Sequence, residues 1–210
     1  MPAPLLSVDG STGWFGKMPA HGDFVSRRLP AEWIAAWDDW LQQQLPRSRA
    51  MHGDDAWLAL YLVAPVRRFW LAPGLLTPAA WLGVLMPSVD SVGRHFPLAL
   101  ATALPPARAQ LADALAGEGW FAAADALARQ ALDPAFDVAA LAQAAPTLPA
   151  PAVALPDKPL AVLAQRLAVS GARSAWWCEG AAGVADFVLA PALPVDAAFD
   201  ALLHNPPAKA

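Results

Sequence analysis

Trp57-Leu58-Ala59-Leu60-Tyr61-Leu62-Val63, Arg68-Phe69-Trp70-Leu71, Trp81-Leu82-Gly83-Val84-Leu85-Met86 and Phe96-Pro97-Leu98-Ala99-Leu100-Ala101-Thr102-Ala103 are the runs that decide the fold. Ala64-Pro65, Pro73-Gly74, Thr77-Pro78, Pro87 and Gly93 separate them. Apolar runs of four to eight residues between turn formers read as strands. The link between the first two runs is too short for a crossover helix, so these two are expected to pair antiparallel. The third and fourth flank Ser88 to His95, which reads as a loop.

Upstream, Gly13 to Lys17 reads as a first strand and Met18 to Asp23 as a turn. A helix is expected from Pro30 to Leu45, with Trp33, Trp37, Trp40, Leu41 and Leu45 on one face and Pro46 as its stop. Downstream, Pro106 to Ala144 has helical composition in three pieces. Leu111 and Leu115 mark the first, and Trp120, Phe121, Ala124, Leu127 and Leu132 the second; Asp133-Pro134 precedes the third. Pro146 to Pro156 reads as an extended connector, and Asp157 as the cap of a helix bearing Leu160, Leu163 and Leu167. Ser174–Cys178 and Asp186–Ala190 read as a hairpin around Gly180 to Gly183. Its adjacent Trp176 and Trp177 point to opposite faces, so both faces need apolar cover or one ring meets a partner. Pro194 to Leu203 is a last short helix. The class is α+β, a central and mostly antiparallel sheet flanked by helices. One domain over 1–210 is expected: a sheet-rich part at 13–104 with one amphipathic helix, a helical part at 105–170, and a C-terminal hairpin and helix at 171–204.

The chain has 210 residues, 14 basic and 18 acidic, with 57% hydrophobic and 15% charged residues. That apolar content argues against disorder, and the net charge of -4 argues against a nucleic-acid binder. One cysteine, Cys178, excludes an internal disulfide and a Cys-rich zinc site. Two charge-free spans, Phe69 to Val89 and Val138 to Pro156, are interrupted by prolines, so no stable membrane insertion is expected. With no signal-peptide pattern at the start, a cytoplasmic location is the expectation.

G-x-S-x-G, the P-loop, H-E-x-x-H and G-x-G-x-x-G are all absent from the sequence. Two polar clusters remain. One is His21-Gly22-Asp23 with Ser26, Arg27 and Arg28; the other is Ser88-Val89-Asp90-Ser91-Val92-Gly93-Arg94-His95. His21, Asp23, Asp90 and His95 could form a metal site, or Ser91 a nucleophile beside His95, which gives the alternative of a hydrolase or metalloenzyme. The favoured reading makes Asp23 and Asp90 turn formers, with Arg94 or Arg27 pairing a carboxylate to hold two loops together. No catalytic residue, cofactor or metal is assigned. Trp33, Trp37 and Trp40 read as core, with a partner interface as the alternative. Arg67-Arg68 and Arg27-Arg28 read as solvated pairs or partners of acids. Cys178 reads as a buried, inert thiol.

The block Gly13-Trp14-Phe15-Gly16-Lys17-Met18-Pro19-Ala20-His21-Gly22-Asp23-Phe24-Val25-Ser26-Arg27-Arg28-Leu29-Pro30 resembles the opening of the TagF (ImpM) family of type VI secretion system-associated proteins. Ala35 to Leu41, the run Gly83 to Leu98 and the pair Trp176-Trp177 are similar to further family hallmarks. The resemblance implies a cytoplasmic, post-translational repressor of type VI secretion in Gram-negative bacteria. Its implied partner is the forkhead-associated scaffold protein of the apparatus, and its implied fold a longin- or profilin-like α/β sandwich. It implies no catalytic residues. His21, Asp23, Arg27, Arg28, Asp90, Arg94 and His95 become residues that lock loops or contact the partner. Oligomeric state is left open.

Overall fold

A computed structural model describes residues 11–151, 171–180 and 183–205. The strands are β1 (Gly13–Gly16), β2 (Val25–Arg27), β3 (Arg67–Leu71), β4 (Ala80–Met86), β5 (Leu98–Leu104), β6 (Ser174–Gly180) and β7 (Gly183–Ala190). They form one sheet in the order β2-β1-β5-β4-β3-β6-β7, and every pairing is antiparallel. The C-terminal hairpin therefore completes the same sheet that β1 begins.

Helices cover both faces, which is why the strands read as continuous apolar runs rather than alternating ones. On one face lie α1 (Ala31–His52), α2 (Asp54–Val63) and α6 (Ala197–Leu203). Trp33, Trp37, Trp40, Trp57 and Tyr61 pack there against Phe69, Leu71, Trp81 and Trp176. On the other lie α3 (Leu111–Leu115), α4 (Glu118–Gln130) and α5 (Val138–Ala144), whose Trp120, Phe121, Leu127 and Leu141 meet Trp14, Trp70, Leu82, Leu100 and Trp177. Trp176 and Trp177 thus divide between the two cores, as strand alternation requires. Gly83 admits the Phe69 ring flat against the sheet, since a Cβ there would lie 2.2 Å from it.

Three expectations are corrected. Trp57 to Val63 is the body of α2, not a strand, so its pairing with Arg68 to Leu71 does not exist; β3 pairs instead with β4 and β6. Asp54 and Asp55 sit in the first turn of α2, where they complement the helix dipole. Trp57 and Tyr61, four residues apart, stack on one buried side at 4.8 Å.

Secondly, Pro46 does not stop α1, which continues for six residues to His52. Proline removes one helical hydrogen bond. Tertiary bonds hold the helix on both sides of Pro46: before it the Gln44 side-chain oxygen accepts from the Asp196 amide at 2.9 Å, and after it the Ser48 hydroxyl donates to Asp200 of α6. Thirdly, Leu132 lies beyond α4 and is exposed. The expected helix after Asp157 falls outside the described residues.

Candidate functional site: two locked loops

The loop after β1 and the loop between β4 and β5 meet because β1 pairs directly with β5. Gly16, at φ +146°, allows this approach, since a Cβ there would lie 2.1 Å from the Pro97 carbonyl oxygen. The Ser91 amide then donates to the His21 carbonyl at 3.0 Å, and the Arg94 guanidinium donates to the Gly22 carbonyl.

Asp90 is the hub. Its Oδ1 accepts from the amides of Val92 (3.1 Å) and Arg94 (2.8 Å); its Oδ2 accepts from Lys17 Nζ (2.9 Å) and Arg94 Nε (2.7 Å). A carboxylate offers about four lone-pair positions, so this one has no acceptor capacity left for a metal or a proton. Burial would raise its pKa, but the bonds from Lys17, Arg94 and Val92 outweigh that and hold the carboxyl well below the usual range. Gly93, at φ +86°, closes the turn with its amide on the Asp90 carbonyl.

Residues not singled out as site residues in the sequence complete the lock. Lys17 is buried, and a lysine inside a strand-like apolar stretch is itself a signal that an acid must face it. The Ser88 hydroxyl donates to the Lys17 carbonyl at 2.8 Å. The Tyr61 hydroxyl donates to the Ser88 carbonyl at 2.9 Å and accepts from the Ser88 amide at 3.0 Å, which ties α2 to the loop. Burial pushes the Tyr61 phenol upward and keeps it protonated.

The other expected site residues are not drawn into the hub. Asp23 is exposed, and its Oδ1 accepts from the adjacent Phe24 amide at 2.8 Å. His21, Arg27 and Arg28 are also exposed. His95 turns inward, edge-on to Tyr61 at 5.4 Å and Trp57 at 6.1 Å. Among the described residues, no group of three or more His, Cys, Asp or Glu side chains could hold a metal ion. Nothing in this geometry supports the hydrolase or metalloenzyme reading at His21, Asp23, Asp90 and His95.

Trp33, Trp37 and Trp40 are buried, with Trp33 and Trp37 stacked at 4.6 Å, which corrects the interface alternative for that stripe. Arg67 and Arg68 are buried rather than solvated, and each pairs with acids as the other half of that reading expects: Arg67 with Asp186, Arg68 with Glu118 and Glu179. Cys178 is buried, and burial raises its thiol pKa. Among the described residues, no helix is long and apolar enough to cross a membrane.

Fold and loops together define an α+β sandwich with one rigid two-loop surface at an end of its sheet. The chain belongs to the TagF N-terminal domain family, described as type VI secretion system-associated, which it matches over residues 13–148. Among solved structures it is similar to PA0076 from Pseudomonas aeruginosa PAO1, with 39% identity and a TM-score of 0.76 over 92% of this chain and 94% of that one. No curated protein matches it.

Proposed function

We propose that this protein is a cytoplasmic, post-translational negative regulator of type VI secretion. It acts by binding the forkhead-associated scaffold protein of the apparatus rather than by catalysing a reaction. The observation that carries this reading is the match to a type VI secretion system-associated family over a region that contains both loops. The hub geometry supports it: Asp90, the acid best placed by burial for chemistry, has every acceptor position occupied. A side chain so engaged shapes a surface and does not turn over substrate.

Calorimetric titration of the full chain with the scaffold tests this, alongside an effector-release assay in cells with and without the chain. Saturable binding and increased release on deletion are expected. A folded protein that shows no heat with the scaffold at high micromolar concentration, or deletion without effect on release, would falsify the proposal.

A further inference from the structure

We infer that the outer face of α2 pairs with the same face of a second copy of this chain, antiparallel, about a two-fold axis at Ala59. This face is on the opposite side of α2 from Tyr61, which ties to Ser88, and it does not depend on the regulatory role proposed above.

The helical period divides α2 into two sides. Trp57 and Tyr61 point into the tryptophan-rich core and are buried, with Leu58 and Leu60 half-buried beside them. Asp55, Ala56, Ala59, Leu62 and Val63 lie on the other side, all exposed. Leu62 is 63% exposed and Val63 61%. Of these five, Asp55 alone is charged, and from Ala56 to Val66 the sequence has no charged residue. A surface helix normally turns polar side chains to water, whereas a helix apolar all round is a covered one. α1 shows the ordinary pattern on the same core, with Glu32, Asp39, Gln42, Gln43 and Arg47 exposed. α2 departs from it.

The order of side chains along the face selects a second copy as the occupant. The small residues, Ala56 and Ala59, take its first half and centre, and the bulky Leu62 and Val63 take its second half. In an antiparallel pair about Ala59, Leu62 of each copy meets Ala56 of the other, bulky against small. The two Ala59 residues meet at the axis, where their size permits close approach. An interface of this kind is self-complementary, as a two-fold contact must be. Charge fits the same arrangement. The two Asp55 carboxylates fall at opposite ends, separated by the length of helix from Asp55 to Val63, about 12 Å at 1.5 Å per residue. That exceeds the screening length of about 8 Å at physiological salt, while a parallel pair would set the two acids side by side. The antiparallel order also aligns the helix dipoles favourably. A ten-residue helix is about 15 Å long, so the contact falls below about 1,200 Å² and the pairing is weak.

Sedimentation of the full chain from about 10 μM to about 1 mM tests this, a range suited to a weak contact. Wild type should pass from monomer to dimer within it. Leu62→Glu should raise the midpoint about tenfold or more, as loss of a central apolar contact does. Leu62 is exposed in the single chain, so this variant should melt as wild type does. Oxidative cross-linking fixes the geometry. Ala59→Cys should link rapidly, because its Cβ atoms meet at the axis within the roughly 3.5–4.5 Å that a disulfide spans. Asp55→Cys, also exposed, should link only at the rate of random collision. The native Cys178 is buried and does not compete. A chain that stays monomeric at about 1 mM overturns the inference. So does a dimer that Leu62→Glu leaves unchanged, or one in which Asp55→Cys links as fast as Ala59→Cys. A monomeric chain that loses scaffold binding in Leu62→Glu would give this face to the scaffold, which also overturns self-pairing.

Discussion

Arg67 and Arg68 are neighbours in β3, equally buried, and settle on opposite faces of the sheet among opposite kinds of partner. Arg67 points to the tryptophan-rich face and plugs the C-terminal end of α6. It donates to the carbonyls of Ala201, Leu202 and His204, and to the Asp186 carboxylate at 2.8 Å. Those carbonyls are the orphan acceptors of a helix end, and a cation complements the dipole there.

Arg68 points to the face under α3 to α5 and gathers acids. Glu118 lies at 2.8 Å, Glu179 at 2.9 Å and Asp125 at 3.6 Å, with the Phe121 ring 5.4 Å away. Asp125, Arg129, Cys178 and Glu179 line an adjoining cavity of about 650 Å³. Burial pushes the Asp125 carboxyl up to about 6, against the opposing pull of Arg68 and Arg129. Carbonyl dipoles do not titrate and carboxylates do. The tryptophan face is therefore tied by a lock largely indifferent to pH, and the opposite face by one that responds to it.

Arg67→Met attacks the first lock. It should destabilise by about 3–5 kcal/mol, because three helix-end carbonyls and a carboxylate lose a buried cation. Urea unfolding measures this, and the loss should be nearly the same at pH 6 and pH 8.

Asp125→Asn probes the second lock with the opposite sign. The folded carboxyl holds its proton more tightly than the unfolded one. Its stabilising contribution is thus complete below the ordinary carboxylate range and is lost as pH rises through about 6. The asparagine variant should be more stable than wild type at pH 7.5, by on the order of 2–3 kcal/mol. The gap should close near pH 4. A constant gap in melting temperature across that range would remove the pH contrast between the faces.

Arg68→Met should cost less than Arg67→Met, about 1–2 kcal/mol at pH 7.5. Glu118 and Glu179 are each 60% exposed and can turn to water, which leaves only Asp125 without its cation. The cost should shrink at pH 5, where Asp125 takes up a proton.

Away from both faces, Asp23→Ala should change stability by no more than about 0.5 kcal/mol, since an exposed side chain loses one local bond. A larger loss by calorimetry would mean that the first loop depends on Asp23 as well as on Asp90.

Much of the sheet was legible because both its faces are covered, so β4, β5 and the part of β3 after its two arginines appear as nearly continuous apolar runs between prolines and glycines. The same feature made α2 illegible. Trp57 to Val63 is apolar at nearly every position, and a run of seven cannot separate a strand from a covered helix by period. In the loops, the residue types were right and the roles were not. Asp23 and Asp90 look alike in sequence, each amid turn formers. Only the register of β1 against β5 puts Lys17 and Arg94 around Asp90 and leaves Asp23 in solvent.

The order of residues by itself determined a two-sided sheet with helices packed on it, and the family. Apolar periodicity, breakers and a long hallmark block are local properties of the chain. Only tertiary structure decided that α1 passes Pro46, that adjacent arginines serve opposite cores, and that Asp90 is the hub. Each of those outcomes depends on groups distant in sequence, whose approach follows from strand pairing and helix docking rather than from any nearby residue.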